Sequence, residues 1–135
     1  MTPKQVVHAF YDSYNGKDLE ASFDRYIADG LVNHAMGGAF DRAAWLDVDR
    51  TWFPAFTDFT ATVLDQVAEG DKVATRVRMG GTHTGAPFAG VDASGHSAFL
   101  TISAIDRVAD GRIVEHWSEF DFAGFLVLLT DAPRP

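Results

Sequence analysis

The chain has 135 residues, 47% apolar and 22% charged, enough for one ordinary domain with a single core and unlike the composition of a disordered segment. A formal net charge of -8, with 11 Lys and Arg scattered along the chain, argues against nucleic acid and anionic membranes as partners. The absence of cysteine excludes disulfides, thiolate metal sites and a cysteine nucleophile.

The start Met1-Thr2-Pro3-Lys4-Gln5 lacks a signal-peptide core, and no apolar run reaches transmembrane length, so a soluble, cytoplasmic protein is expected. Thr2-Pro3-Lys4-Gln5 has the form of a capping box with proline at the first helical position. Val7, Phe10 and Tyr14 follow at helical spacing, and Asn15-Gly16 supplies the stop. Leu19, Phe23, Tyr26 and Ile27 suggest a second helix ending near Asp29-Gly30, with residues 31–35 as a connection. Asp41 caps a third helix in which Trp45, Val48 and Trp52 share a face, until Pro54 ends it.

From Thr60 the texture becomes β-branched. Residues 60–68 and 72–84 flank Glu69-Gly70-Asp71 as a hairpin, a Gly- and Pro-rich loop covers 85–95, and residues 97–108 and 112–122 flank Ala109-Asp110-Gly111 as a second hairpin. Three helices followed by four sequence-adjacent strands predict an α+β fold in one domain, with a mostly antiparallel sheet. Eleven Phe, three Trp and three Tyr supply its core or an apolar cavity between helices and sheet.

The chemistry is sought first in Ile113-Val114-Glu115-His116-Trp117-Ser118-Glu119-Phe120-Asp121. Simple alternation puts Trp117 and Asp121 on one face with Ile113, and Val114, His116, Ser118 and Phe120 on the other, unless a bulge reassigns one end. Asp121 is then either an acid or base in an apolar pocket or the cap of a short helix over residues 123–129. His34 and His83, each flanked by small or polar residues at the edge of an element, are candidates for orienting a carbonyl substrate. Tyr14 and Trp45 are candidate cavity walls. No histidine pair has zinc-motif spacing, and Gly80-Gly81-Thr82-His83-Thr84-Gly85 lacks the lysine and the strand-to-helix context of a phosphate loop. Arg76 and Arg78 share a strand face and read as exterior charges, with a pocket ion pair to an aspartate as the alternative.

Taken together, Tyr14-Asn15-Gly16-Lys17-Asp18, Asn33-His34, Gly81-Thr82-His83-Thr84-Gly85 and Asp110-Gly111-Arg112-Ile113-Val114-Glu115-His116-Trp117 running to Asp121 resemble the SnoaL-like polyketide cyclases of the NTF2-like superfamily. The resemblance implies an NTF2-like cone, a curved sheet wrapped around three N-terminal helices, commonly dimeric through the outer sheet face. It implies that Asp121 matches the family's acid/base aspartate in an intramolecular aldol ring closure that needs no cofactor and no metal. Small hydrophobic or aromatic molecules are the implied substrates, with Trp117 as an apolar wall. The same pocket could instead serve an isomerase or an epoxide hydrolase, the latter needing Arg76 with Asp65 or Asp58 turned inward. The domain could also be a non-catalytic ligand-binding or dimerisation module.

Overall fold

The computed structural model describes residues 1–38 and 40–130. Helix α1 (Pro3–Asp12) begins with the expected capping box: Gln5 N donates to Thr2 Oγ1 at 3.2 Å and Thr2 N donates to Gln5 Oε1 at 2.8 Å. Its inner face buries Val6, Val7, Phe10 and Tyr11. A 3-10 turn (Ser13–Gly16) leads to α2 (Leu19–Tyr26), where Asp18 caps the helix by accepting from Ala21 N. Phe10 is wholly buried and meets the rings of Tyr14, Phe23 and Trp45 at 5.5, 5.7 and 5.7 Å, so α1, α2 and the next helix share one aromatic core. Truncating Phe10 to alanine in such a setting costs about 3–5 kcal/mol.

Two expectations about the helical half need correction. Residues 31–35 are not a loose connection: Ile27–Asn33 forms a strand, β1, which pairs in parallel with the last strand through Ile27↔Ile113, Val32↔Glu115 and Asn33↔His116. Asp29-Gly30 disguises it, because this pair reads as a turn and the register shifts between Ile27 and Val32. The third helix is also divided, into α3 (Arg42–Asp49) and α4 (Trp52–Ala55). Pro54 has no N–H to donate and its ring conflicts with the carbonyl of Arg50, so α3 cannot run through it.

The sheet order is β1-β5-β4-β3-β2, in which β2 (Thr60–Glu69), β3 (Lys72–Thr82), β4 (Ser97–Ala109) and β5 (Arg112–Phe120) run antiparallel to one another and the β1–β5 pair is parallel. Among the described residues the sheet therefore has five strands rather than the expected four. Its inner face is read by alternation along β4, where Ala98, Leu100, Ala104, Asp106 and Val108 are buried. Curvature at the β3–β4 pair is set in part by Gly80: its φ is +150°, and a Cβ there would lie 2.1 Å from the carbonyl oxygen of Ala98. Finally α5 (Phe122–Leu129) folds back against β4, and its Phe125 packs on Trp52, Phe56 and Phe88. Among the described residues, no helix is long and apolar enough to cross a membrane.

Candidate active site

Helices and curved sheet enclose a cavity of about 250 Å³. Its helical wall carries Tyr14, Trp45, Asp49 and Trp52, and its sheet wall carries His116 and Phe120, with Met79, Leu100 and Ile102 deeper along β3 and β4. Aromatic and aliphatic surface dominates, and the polar groups are few and grouped, the usual construction of a small-molecule site. Among the described residues, no Lys or Arg lines it.

The sheet wall owes its chemistry to a bulge. Arg107 pairs with Glu115 but Val108 pairs with Ile113, leaving Val114 as the extra residue of β5. Beyond the bulge the alternation changes phase, so His116 joins Ile113 on the buried side while Glu115 and Trp117 face outward. His116 Nδ1 lies 2.6 Å from Asp106 Oδ1, and Tyr11 Oη donates to Asp106 Oδ2 at 2.8 Å. Asp106 is 0% exposed and His116 3%. A carboxylate so buried persists only where donors replace water, and here each oxygen has one. With Asp106 as acceptor, the proton of the imidazole resides on Nδ1, which leaves the Nε2 lone pair free. Nε2 takes no bond from the described residues, and the ring stands at the cavity wall, stacked on Trp45 at 4.3 Å.

The helical wall presents a second carboxyl. Tyr14 Oη and Trp45 Nε1 donate to Asp49 Oδ2 at 2.6 and 3.0 Å. Desolvation pushes the Asp49 carboxyl above its ordinary range, against the opposing pull of those two donors and of a protonated His116 ring. Burial first, and the neighbouring aspartates second, push the Tyr11 and Tyr14 phenols well above theirs, so both remain neutral donors.

Of the residues singled out from sequence, Tyr14 and Trp45 line the cavity and four others do not. Asp121 is exposed and serves as N-cap of α5, its Oδ1 accepting from Gly124 N at 2.9 Å; β5 ends at Phe120, and although Phe120 and Phe122 line the cavity, Asp121 between them is not among the lining residues. His34 lies on the outer surface, 2.7 Å from Glu115 and stacked on Trp117 at 4.9 Å, so Trp117 is also no cavity wall. His83 is wholly buried away from the cavity: Nε2 meets the Ala86 carbonyl at 2.8 Å, and the ring stacks on Phe56, where it holds the loop that follows β3. Arg76 pairs with Asp65 at 2.8 Å on the exposed sheet face, and Asp58 accepts from Thr82, so the inward arrangement required for the hydrolase alternative is not formed by these groups.

Asp106 and Asp49 are readable as anomalies in the sequence, and His116 is not. Asp106 interrupts the apolar alternation of β4, and Asp49 lies four residues after Trp45 and three before Trp52, on the inner face of the helical pattern. His116 fell on the face opposite Ile113 only because the Val114 bulge is invisible in the sequence.

Comparison with known proteins agrees with this architecture. Residues 4–127 match the sequence profile of the SnoaL-like polyketide cyclases. Wild-type IdmH from Streptomyces antibioticus, provisionally described as a polyketide cyclase, is 37% identical, with a TM-score of 0.81 over 96% of this chain and 99% of its own. AclR from Streptomyces galilaeus, provisionally described as a hydroxylase, is 25% identical with a TM-score of 0.85, covering 97% of each chain. TsrD from Streptomyces laurentii is 26% identical with a TM-score of 0.80, over 95% of this chain and 94% of its own. No curated protein matches the sequence significantly. A profile match over nearly the whole chain, joined to an α+β cone with a cavity between its layers, makes this protein a member of the SnoaL-like polyketide cyclase family, with the NTF2-like fold.

Proposed function

We propose that the protein closes a ring on a neutral polyketide-like ketone or ester by an intramolecular aldol reaction, with His116 as the acid/base group and Asp106 as the residue that orients it. The observation that carries this reading is the buried 2.6 Å contact between Asp106 and His116, with Nε2 of the imidazole taking no bond from the described residues at the cavity wall.

In this mechanism Nε2 removes a proton from the carbon next to a substrate carbonyl. The resulting enolate carbon attacks a second carbonyl of the same molecule, forming the C–C bond, and the oxygen of that second carbonyl takes up a proton as the alcohol. Asp106 stays a carboxylate throughout and stabilises the imidazolium formed in the first step, while Tyr11 holds the second oxygen of Asp106 in place. Trp45 fixes the imidazole plane by stacking, and the remaining rings exclude water and hold a flat or folded chain in a reactive conformation. Among the described residues the lining carries Asp49 and no Lys or Arg to pair with a free carboxylate or phosphate, which favours neutral substrates.

Homodimerisation is assigned to the outer sheet face. There Val67 is 73% and Ile105 44% exposed, beside Trp117 in a shallow apolar groove. The functional reading is tested by incubating polyketide chains that carry two ketones with the protein and following cyclic ketol formation; the His116→Asn protein should form it at the uncatalysed rate.

A further inference from the structure

Asp49 anchors two aromatic side chains of the helical wall through only one of its oxygens. Tyr14 Oη and Trp45 Nε1 both donate to Oδ2, while Oδ1 takes no bond from the described residues and the side chain lines the cavity. An aspartate needed only as an acceptor for those two donors would be replaceable by an amide. The residue stands on α3, across from the sheet that carries His116, so one substrate meets a titratable group on each wall. The groups that face it are Tyr14 from the 3-10 turn, Trp45 from its own helix and His116 from β5, with the Tyr11–Asp106 pair behind His116.

We propose that Asp49 is a second catalytic residue, delivering from its carboxyl the proton that converts the attacked carbonyl oxygen into the alcohol as the ring closes. This rests on the aldol reading of the cavity. The step balances: the C–H proton passes to His116 Nε2, the C–C bond forms as the acceptor C=O π bond breaks, and the new alkoxide takes the Asp49 proton. The imidazolium then returns a proton to the Asp49 carboxylate, directly or through one water, restoring both groups. Burial supports the assignment, because a carboxyl whose affinity for the proton is increased is a usable acid nearer neutral pH.

The test uses the intact protein in deuterated buffer with a neutral probe, a 1,5-diketone carrying one phenyl group. Deuterium uptake beside the carbonyl reports enolisation, and cyclic ketol reports ring closure. Asp49→Asn keeps the acceptor for Tyr14 and Trp45; it should retain deuterium uptake but slow ring closure about a hundredfold, the scale of one acid/base group. His116→Asn should lose both. Parental ring closure by Asp49→Asn, or equal loss of uptake and closure, would overturn the assignment. A parent protein that promotes neither step would overturn the aldol reading itself, and the Asp49 role with it. Tyr14→Phe removes a bond that holds the Asp49 carboxyl down, so the high-pH fall in ring closure should move to higher pH while the pH profile of deuterium uptake, which does not use Asp49, stays in place. An unmoved fall would also overturn the assignment, since a purely structural Asp49 would leave it where it was.

Discussion

His116 Nδ1 and Asp106 Oδ1 lie 2.6 Å apart between adjacent strands, and their backbones are register partners in the β4–β5 pair. The sheet itself therefore sets the geometry of the pair, and Tyr11 from α1 fixes the other carboxylate oxygen. Asp106→Asn should reverse this orientation, since an amide group facing Nδ1 can donate to it and place the imidazole proton on Nε2. Turnover should then fall by about 10²–10⁴, the range for loss of one acid/base function, while ligand affinity is kept. Nitrogen NMR of the imidazole should report the change of tautomer, and an unchanged tautomer with parental turnover would remove Asp106 from the account.

Tyr11→Phe removes one donor from the same buried carboxylate. The expected loss is about 1.5–3 kcal/mol of stability, the value of a hydrogen bond to a charged group, read by denaturant unfolding. The effect on turnover should be smaller than that of Asp106→Asn, because the imidazole keeps its partner.

Asp49 gives the stability a pH dependence of defined sign. Its folded carboxyl is raised above the ordinary 3.8, so the folded chain binds that proton more tightly than the unfolded one. That contribution is fully present below the unfolded value and is lost as pH rises through the folded one. Asp49→Asn abolishes it, so the unfolding free energy of the variant minus that of the parent should rise as pH climbs from below the ordinary 3.8 through the raised folded value. A difference that falls as pH climbs from below the ordinary carboxylate value would contradict the desolvated state of Asp49.

Asp121 caps α5 through Gly124 N, and its removal should register as stability. Asp121→Ala should cost about 1 kcal/mol, within the usual range for an N-cap, and lower the melting temperature by a few degrees. Asp121→Asn, which preserves a cap, should be near neutral by the same measurement.

The outer sheet face offers a further check. Ile105→Glu places a charge in the exposed groove beside Trp117 and should convert a dimer to monomer in light scattering after size exclusion. A parent protein that is already monomeric would remove this face as an interface.

The sequence made the scaffold more legible than the site. The capping box at Thr2, the cap at Asp41 and the two hairpin turns are local signals with local causes, and each positions an element of the observed fold. The strand β1 was hidden because its pairing with β5 is parallel, joins segments far apart in the chain and includes Asp29-Gly30. The site was hidden for a related reason. One bulged residue, Val114, exchanges the faces of β5, so Trp117 goes to the surface and His116 to the cavity. Asp121 then falls beyond the end of the strand, where a short side chain before a helix is a cap.

The central claim is that proton transfer is performed at His116 and not at Asp121. It is tested most directly by measuring turnover of a cyclising polyketide substrate and affinity for its product, side by side, in His116→Asn and Asp121→Asn proteins. The account predicts near-parental affinity in both, turnover reduced at least about a hundredfold in His116→Asn, and turnover close to the parent in Asp121→Asn. Parental turnover in His116→Asn together with a collapse in Asp121→Asn would contradict it and return the acid/base role to the end of β5.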